Sequence, residues 1–475
     1  MSDIVNKLWG FCHTLRHAGV NYGDYIEQIT YLLFLKMADE EGHELPLDHD
    51  WTSLRAQSGE HLITMYEKML RELRGKGDIL GDIFNGAQNR LSNPVDLKKL
   101  VNLIDAESWM EMGVDVKGAA FEGLLERAAS EGKKGAGQYF TPRPLISSIC
   151  RVMKPDPRVS PNWTFCDPAC GTGGFLIGAY DWLKTETKLR FDARDIERIK
   201  KRTYYGQDLV QQPRRLALMN AYLHGLTPHI YLGNTIEEAP RNDKFDCVLT
   251  NPPFGTKGAG QAPTRDDFTI ETSNKQLNFV QHVVNTLKPG GRAALVLPDN
   301  CLFEGKAGEV FELVMKDCRL HTILRLPRGT FTPYSQGVKA NVVFLQKGEA
   351  TREVWIYDAR ANVPGVTKKD RPLTDAHFAG FEAAYGSDPD ARGKREANDP
   401  GDRFRCFSSD EIRKRDYKLD ITWLRDESLD DADGLPEPGE LASEAITQLE
   451  AVVDELRELM ALLEVDALTE AEVAS

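Results

Sequence analysis

The sequence predicts an α/β protein: a doubly wound, Rossmann-like sheet of seven strands, the last antiparallel, with a helical N-terminal domain and a C-terminal coiled-coil-like helix. Three observations predict it. From Trp163 onward, short apolar runs of strand length alternate with longer helical patterns, as in parallel strands joined by crossover helices. A glycine-rich loop, Gly171-Thr172-Gly173-Gly174, follows the first of these runs. The last two runs are joined by a link containing Pro327, Gly329 and Pro333, too short for a crossover helix, so the final strand has to turn back.

Taken in order, residues 1–132 read as a helical N-terminal domain. Asn21-Tyr-Gly-Asp24 is a start signal for the apolar-periodic run Tyr25 to Met37, and Ala119, Phe121, Leu124 and Leu125 mark a further helix. A joint rich in glycine and lysine, Glu131 to Gly137, opens the α/β domain, residues 133–350. Its expected strands are Trp163 to Cys166, Thr203 to Gly206, His229 to Leu232, Asp246 to Thr250, Arg292 to Leu297, Thr322 to Leu326 and Ala340 to Leu345. Leu287-Lys-Pro-Gly-Gly291 supplies the turn before the fifth. Residues 351–436 read as an extension and linker, with a mobile loop from Ser387 to Gly401 and a low-complexity stretch from Asp430 to Gly439. In residues 437–475, Ala442, Ile446, Leu449, Val453, Leu456, Met460 and Leu463 form a four-three apolar seam over about three heptads. Such a helix either folds back on its own domain or binds a partner. The linker before it favours the partner.

The 475 residues suffice for two or three cored domains. The apolar run from Tyr25 carries Glu27, Gln28 and Lys36, which makes it a core helix and not a membrane span. No secretory pattern leads the chain, and eight cysteines without paired spacing point to reduced thiols in a cytoplasmic protein. Cys166 and Cys170 flank the glycine loop, but no second ligand pair completes a metal site, so no metal is expected. The formal charge of −14 argues against a broad nucleic-acid-binding face of its own. Any grip on DNA then rests on local basic clusters or on another subunit, and the second is favoured.

The glycine loop lets backbone N–H groups approach a bound ligand without a Cβ in the way. It is not the G-x-G-x-x-G of dinucleotide binders. It begins on an acid, Asp167, at a strand end. Tyr204-Tyr-Gly-Gln-Asp208 ends a second strand on a carboxylate, able to accept both hydroxyls of a ribose or to cap the next helix. Asn234, after the third strand, is placed to border an adenine ring. Upstream, Gln138, Tyr139, Phe140, Thr141, Pro142 and Arg143 form a polar and aromatic turn that is either part of the same site or a helix entry with proline in its first turn. Farther on, the strand Phe245 to Thr250 ends on Asn251-Pro252-Pro253-Phe254. An exocyclic amine conjugated to a ring is a poor nucleophile. Two acceptors aimed at its hydrogens, the Asn251 side-chain oxygen and the Pro252 carbonyl, favour its tetrahedral form; the prolines fix their aim, and Phe254 offers a stacking face. Glycine loop and Asn-Pro-Pro-aromatic, in this order, read as an amine N-methyltransferase using S-adenosylmethionine, its sheet the S-adenosylmethionine-dependent methyltransferase fold. A duplex adenine reaches such a pocket only when flipped out, which calls for a second wall: Phe331 and Tyr334 are candidates. The polar run Gly255 to Asn274, with Lys257 and Arg265, is either a DNA-closing segment or a surface loop.

With these motifs in place, the chain resembles the modification (M) subunits of type I restriction-modification systems, which are N6-adenine DNA methyltransferases. The resemblance covers nearly the whole length and rests on Gly137 to Pro144, Asp167 to Gly174, Asn251 to Phe254 and Arg415-Asp-Tyr-Lys-Leu-Asp420. Cys170 stands where small residues are usual. The resemblance implies that residues 133–350 are the methyltransferase catalytic domain, that Gln138 to Arg143, Asp167, Gly171 to Gly174 and Asp208 lie on the cofactor site, and that Asn251 to Phe254 form the catalytic motif. It implies a specificity (S) subunit that reads the DNA sequence, a second M subunit, and a restriction endonuclease (R) subunit; the seam in residues 437–475, a heptad helix for subunit assembly, is the candidate for docking on the specificity subunit. Two other classes compete. One is an amino-methyltransferase acting on rRNA or on protein glutamine, usually smaller. The other is a non-catalytic scaffold, against which the intact Asp167, Gly171, Asp208 and Asn251 weigh.

Overall fold

The computed structural model describes residues 6–12, 20, 22–40, 50–75, 79–107, 109, 114–131, 140–187, 193–238, 241, 243–254, 262–332, 337–368, 370–397, 401–424, 446, 449 and 453. The strands are β1 (Phe165–Asp167), β2 (Tyr204–Asp208), β3 (His229–Leu232), β4 (Phe245–Thr250), β5 (Leu287–Pro298), β6 (Cys318–Arg325), β7 (Ala340–Lys347), β8 (Glu353–Asp358) and β9 (Phe404–Ser408). Their order in the sheet is β3-β2-β1-β4-β5-β7-β6-β8-β9. By packing, the chain divides into one unit of Met1–Gly135, Cys170–Ile177 and Phe191–Leu232, and another of Ala136–Ala169, Gly178–Arg190 and Gly233–Ser475.

The first unit is mostly helical. Helix Tyr22–Glu40 is buried on nearly every side, with Tyr25, Ile29, Leu32, Phe34 and Leu35 closed to solvent. Glu27, Gln28 and Lys36 survive burial there because each has a partner. Glu27 pairs with Arg215, Gln28 accepts from the Tyr66 hydroxyl at 3.1 Å, and Lys36 pairs with Asp105 at 3.3 Å. Helix starts follow their caps: the Asp50 carboxylate accepts from the Ser53 N–H, and Asn93 from the Val95 N–H with Pro94 behind it. Helix Gln211–Leu223 is locked to the N-terminal helices by Arg215, whose guanidinium donates to the Ile83 carbonyl at 2.7 Å and lies over the Tyr31 ring. This unit also holds β2 and β3, which pair in parallel with Asp208 opposite Leu232.

The second unit carries the remaining strands. β1, β4 and β5 run parallel, β7 is antiparallel to both β5 and β6, and β8 is parallel to β6 and antiparallel to β9. The antiparallel return of the seventh strand is as expected from its short link. It sits between β5 and β6, and the sheet has nine strands among the described residues where seven were expected. β8 and β9 fall in the segment read as extension and linker. They join the sheet because Val354 and Ile356 bury fully, Trp355 stacks on Phe404 at 4.7 Å, and Asp358 closes on Arg325 at 2.8 Å. The turn Leu287 to Gly291 appears as an irregularity inside β5, where the partners of Phe245 and Cys247 jump from Leu287 to Arg292. Gly290 there has φ 79°, a left-handed conformation suited to glycine.

Residues 387–397, read as mobile, are tied down: Arg292 pairs with Asp390, Arg319 donates to the carbonyls of Asp390 and Ala391, and Arg395 donates to the Thr322 hydroxyl at 2.9 Å. Asp416 and Tyr417, both at positive φ, bring the Asp416 carbonyl so close to Gly308 that a Cβ there would lie 2.2 Å away. The Arg415 to Asp420 segment is thus packed on helix Ala307–Asp317. Of the heptad seam, Ile446, Leu449 and Val453 are helical and 56%, 63% and 43% exposed; Ala442, Leu456, Met460 and Leu463 lie outside the described residues.

Candidate active site

In the second unit, β1 delivers Asp167 and β4 delivers Asn251, one residue past its end. The two strands are adjacent and parallel, with Cys166 opposite Val248. Asp167 is buried, and its Oδ1 accepts from the Thr250 hydroxyl at 2.7 Å and from the Ala169 N–H at 3.1 Å. That carboxylate therefore braces the end of β4 and shapes the turn that follows β1. The Thr235 hydroxyl holds the Pro168 carbonyl at 2.6 Å from the other side of the turn.

The Asn251 amide is fixed on one side and open on the other. Its Nδ2 donates to Thr141 Oγ1 at 2.9 Å, whereas its Oδ1 is buried with no hydrogen-bond partner among the described residues. A buried amide oxygen without a donor is costly, so this atom calls for a hydrogen bond from outside the described residues. The Pro253 carbonyl is taken up by Gln276 Nε2 at 2.8 Å, which anchors the diproline turn to helix Lys275–Thr286. Phe254 is buried and meets Phe331 edge to face, with centroids 5.5 Å apart and planes at 82°. Phe331 is fully closed to solvent, so it backs the Phe254 ring in this arrangement. Arg143 lies in the first turn of helix Arg143–Met153, with Pro142 as its cap and Phe140 just before. Burial pushes the Arg143 guanidinium down to about 10, against the opposing pull of Asp181.

In the first unit, the glycine loop is held by its own neighbours. The Cys170 N–H donates to the Gln207 carbonyl at 2.9 Å, and the Gly171 N–H donates to Asp208 Oδ2 at 3.0 Å. Gly171 and Gly173 have φ of 52° and 81°. A Cβ on Gly171 would meet nothing within 4 Å, whereas one on Gly173 would press on Ala217 at 3.3 Å. The loop is therefore open at Gly171 and closed against helix Gln211–Leu223 at Gly173. Asn220 of that helix, buried, donates to the Thr172 carbonyl at 3.0 Å. Gly174 begins the helix that follows.

Asp208 accepts from the Val210 N–H through Oδ1 at 2.8 Å, so each oxygen holds one backbone donor and keeps lone pairs to spare. Burial raises its carboxyl above the ordinary value, partly offset by the N–H groups of Val210 and Gly171. Beside it, Leu209, Val210 and Leu232 leave 62%, 44% and 44% of their surfaces exposed, an apolar patch next to the carboxylate.

Asn234 spends its side-chain oxygen on the N–H groups of Ile236 and Glu237, capping the turn after β3. Gln138, Tyr139, Tyr334 and Lys257 lie outside the described residues. Arg265 does not face outward toward DNA. It is buried, donates to Asp267 at 2.6 Å and to the Thr235 carbonyl at 2.6 Å, and covers the Phe268 ring. Sequence reasoning missed Gln276, Asn220, Thr250 and the Leu209–Leu232 patch. Asn220 had one signal: a short amide inside an otherwise well-formed helix, where it is a poor helix former.

A family model for N-6 DNA methylases matches residues 112–429, and one for the HsdM N-terminal domain matches residues 4–45. The chain is 41% identical to the type I restriction enzyme EcoKI methylase subunit of Escherichia coli K12, over 97% of this chain and 95% of that protein. The chain belongs to the N-6 DNA methylases of type I restriction-modification systems. The methylase is also similar to a chain in a solved type I restriction-modification system, described for its complex assembly and conformational transition. There the identity is 28%, the TM-score 0.74, and the coverage 97% of this chain and 98% of that one. A modification subunit of a type I restriction enzyme from Vibrio vulnificus is 25% identical with TM-score 0.67, covering 86% of this chain and 93% of that one. Membership makes the chain an adenine-specific DNA methyltransferase, methylating adenine N6. Helix Tyr22–Glu40 falls within the HsdM N-terminal match, and strands β8 and β9 within the N-6 DNA methylase match.

Proposed function

We propose that the methylase transfers the methyl group of S-adenosylmethionine to N6 of an adenine flipped out of the duplex, with Asn251, Pro252, Pro253 and Phe254 as the catalytic motif. The observation that carries this reading is the buried Asn251 Oδ1, partnerless among the described residues on one side of an amide whose other side is fixed. An amino group with two hydrogens is the complement of that oxygen together with the Pro252 carbonyl. Both acceptors draw on the N6 hydrogens and leave the nitrogen lone pair out of conjugation with the ring. Pro253 and Gln276 keep the turn in register, and Phe254, backed by Phe331, stacks the base; Tyr334 remains a candidate for the opposite wall.

The cofactor, when bound, supplies a sulfonium methyl that needs no further activation. The chain's own residues fit such a ligand. Gly171 leaves its space open, Asp208 has lone pairs for ribose hydroxyls, and Leu209, Val210 and Leu232 offer an apolar surface for a purine. Thr172 and Gly174 complete the loop; Asp167, Gln138, Tyr139, Phe140, Pro142 and Arg143 are assigned to the cofactor by family resemblance. Asn234, which follows β3, is a further candidate for the adenine.

Within this reading, DNA sequence recognition belongs to a separate specificity subunit, and a second M subunit and an R subunit complete the cytoplasmic assembly. The chain's net charge of −14 supports a delegated grip on DNA. The exposed, helical Ile446, Leu449 and Val453 support assembly through residues 437–475. No helix among the described residues is long and apolar enough to cross a membrane.

Labelled methyl transfer to DNA, with and without the companion specificity protein, tests the assignment. N6-methyladenine forming only with that protein is the expected result, and label in RNA or protein would overturn it. Asn251→Ala is expected to lower kcat by about 100-fold or more while leaving cofactor affinity unchanged. Loss of cofactor binding in the same variant would show that the site is divided wrongly.

A further inference from the structure

We infer that Thr141 is a positioning residue that orients the catalytic amide, and that this, not cofactor contact, is what its hydroxyl does. The inference rests on the catalytic assignment of Asn251 made above. An asparagine side chain has two nearly equal faces, an acceptor and a donor, related by rotation about its last bond. Only one orientation serves adenine N6, because the amino hydrogens need an acceptor. Turned over, the amide would present its own N–H groups to the amino hydrogens and repel them. Proline residues 252 and 253 fix the backbone but have no hold on that rotation.

Thr141 supplies the missing hold. In the orientation seen, its Oγ1 accepts from Asn251 Nδ2 at 2.9 Å, which leaves the oxygen on the opposite side, buried and unpartnered among the described residues. The hydroxyl is itself rigidly placed. Thr141 is a β-branched residue one position before Pro142, whose ring restricts it to extended backbone, and Pro142 caps helix Arg143–Met153. That helix packs its Leu145, Ile146, Ile149 and Met153 into the core. The catalytic rotamer is therefore referred, through one hydrogen bond, to a buried helix far from it in sequence. The distance in sequence is why the pairing is invisible in the chain: Thr141 sits in a motif read as cofactor-binding, and nothing local ties it to Asn251.

The test compares Thr141→Val, which keeps the shape and loses the acceptor, with Thr141→Ser, which keeps the hydroxyl. Each is prepared as the full methylase with its specificity subunit. kcat is measured at saturating S-adenosylmethionine, cofactor Kd by calorimetry, and thermal unfolding as a check on folding. Thr141→Val is expected to lower kcat about 10-fold, the size of one oriented hydrogen bond, with cofactor Kd within about 2-fold of wild type. Thr141→Ser is expected to restore most of kcat. A Thr141→Val variant with wild-type kcat overturns the inference, as does a loss confined to cofactor Kd, or a Thr141→Ser variant as impaired as Thr141→Val. Failure of the underlying reading shows separately: an Asn251→Ala variant with undiminished transfer removes the catalytic assignment whatever Thr141 does.

Discussion

Asp208 shows how much chemistry a single residue concentrates. Its two oxygens hold the Gly171 and Val210 N–H groups, so the same carboxylate that is proposed to take the ribose also fixes the glycine loop. Burial favours its uncharged form and raises its carboxyl above the ordinary 3.8. The sign for folding follows: the group's contribution to stability is fully present below the unfolded value and lost as pH rises through the raised one. Ligand binding runs the other way, because the charged form has the greater acceptor capacity. S-adenosylmethionine affinity is expected to be steady at neutral pH and to weaken on acidification, starting at a higher pH than an ordinary aspartate would set. Calorimetry across that range checks it, with Asp208→Asn expected to bind more weakly and to flatten the profile; an unchanged profile in that variant assigns the acid dependence elsewhere. Asp208 was legible in the sequence because a strand ending on an acid is a local pattern. Asn220 and Gln276 were not, since each acts on a carbonyl that only folding brings near: Thr172 and Pro253.

Among the elements, the glycine loop and the strand ending on Asn251 were readable in advance, because turn glycines, prolines and a run of apolar residues act within a few positions of themselves. Packing between helices was not. Helix Gly174–Thr187 lies so close to helix Arg143–Met153 that a Cβ on Gly178 would sit 2.3 Å from Ile146 Cγ2. Gly178 is thus a contact glycine in the middle of a helix, where its propensity is poor and its small size is needed. Gly178→Ala is expected to cost about 1–3 kcal/mol despite its better helix propensity, read as a lower denaturant midpoint. A gain in stability would mean that the two helices yield easily. β8 and β9 escaped the sequence reading for a related reason. Each is short and flanked by loop-like composition, and their partners, β6 and each other, are chosen by long-range pairing.

For the whole molecule, two histidines record the charge state that the core tolerates. His282, buried and receiving a hydrogen bond from Arg265 on Nδ1 at 3.1 Å, is pushed down to about 3 by burial and then by the Arg265 charge. His321 is lowered as well, by burial and by Arg395 first among four arginines. A depressed folded value gives stability that is present above the unfolded value near 6.5 and is lost as pH falls from there toward the folded one. The methylase is therefore expected to melt at lower temperature at pH 5 than at pH 7.5, and His282→Gln to reduce that difference by keeping an acceptor for Arg265. Equal sensitivity in wild type and variant would place the acid loss at other groups. The sequence by itself determined the α/β class, the parallel core strands, the glycine loop, the Asn-Pro-Pro-Phe turn and the helical character of the N-terminal region, all of which follow from periodicity and turn chemistry within short windows. Only the tertiary structure decided that the sheet has nine strands among the described residues, that Arg265 points inward, that Phe331 backs Phe254, and that Thr141 holds the Asn251 amide. These depend on which buried polar and apolar groups meet across long stretches of chain, where every buried donor has to find an acceptor and the local sequence does not say which.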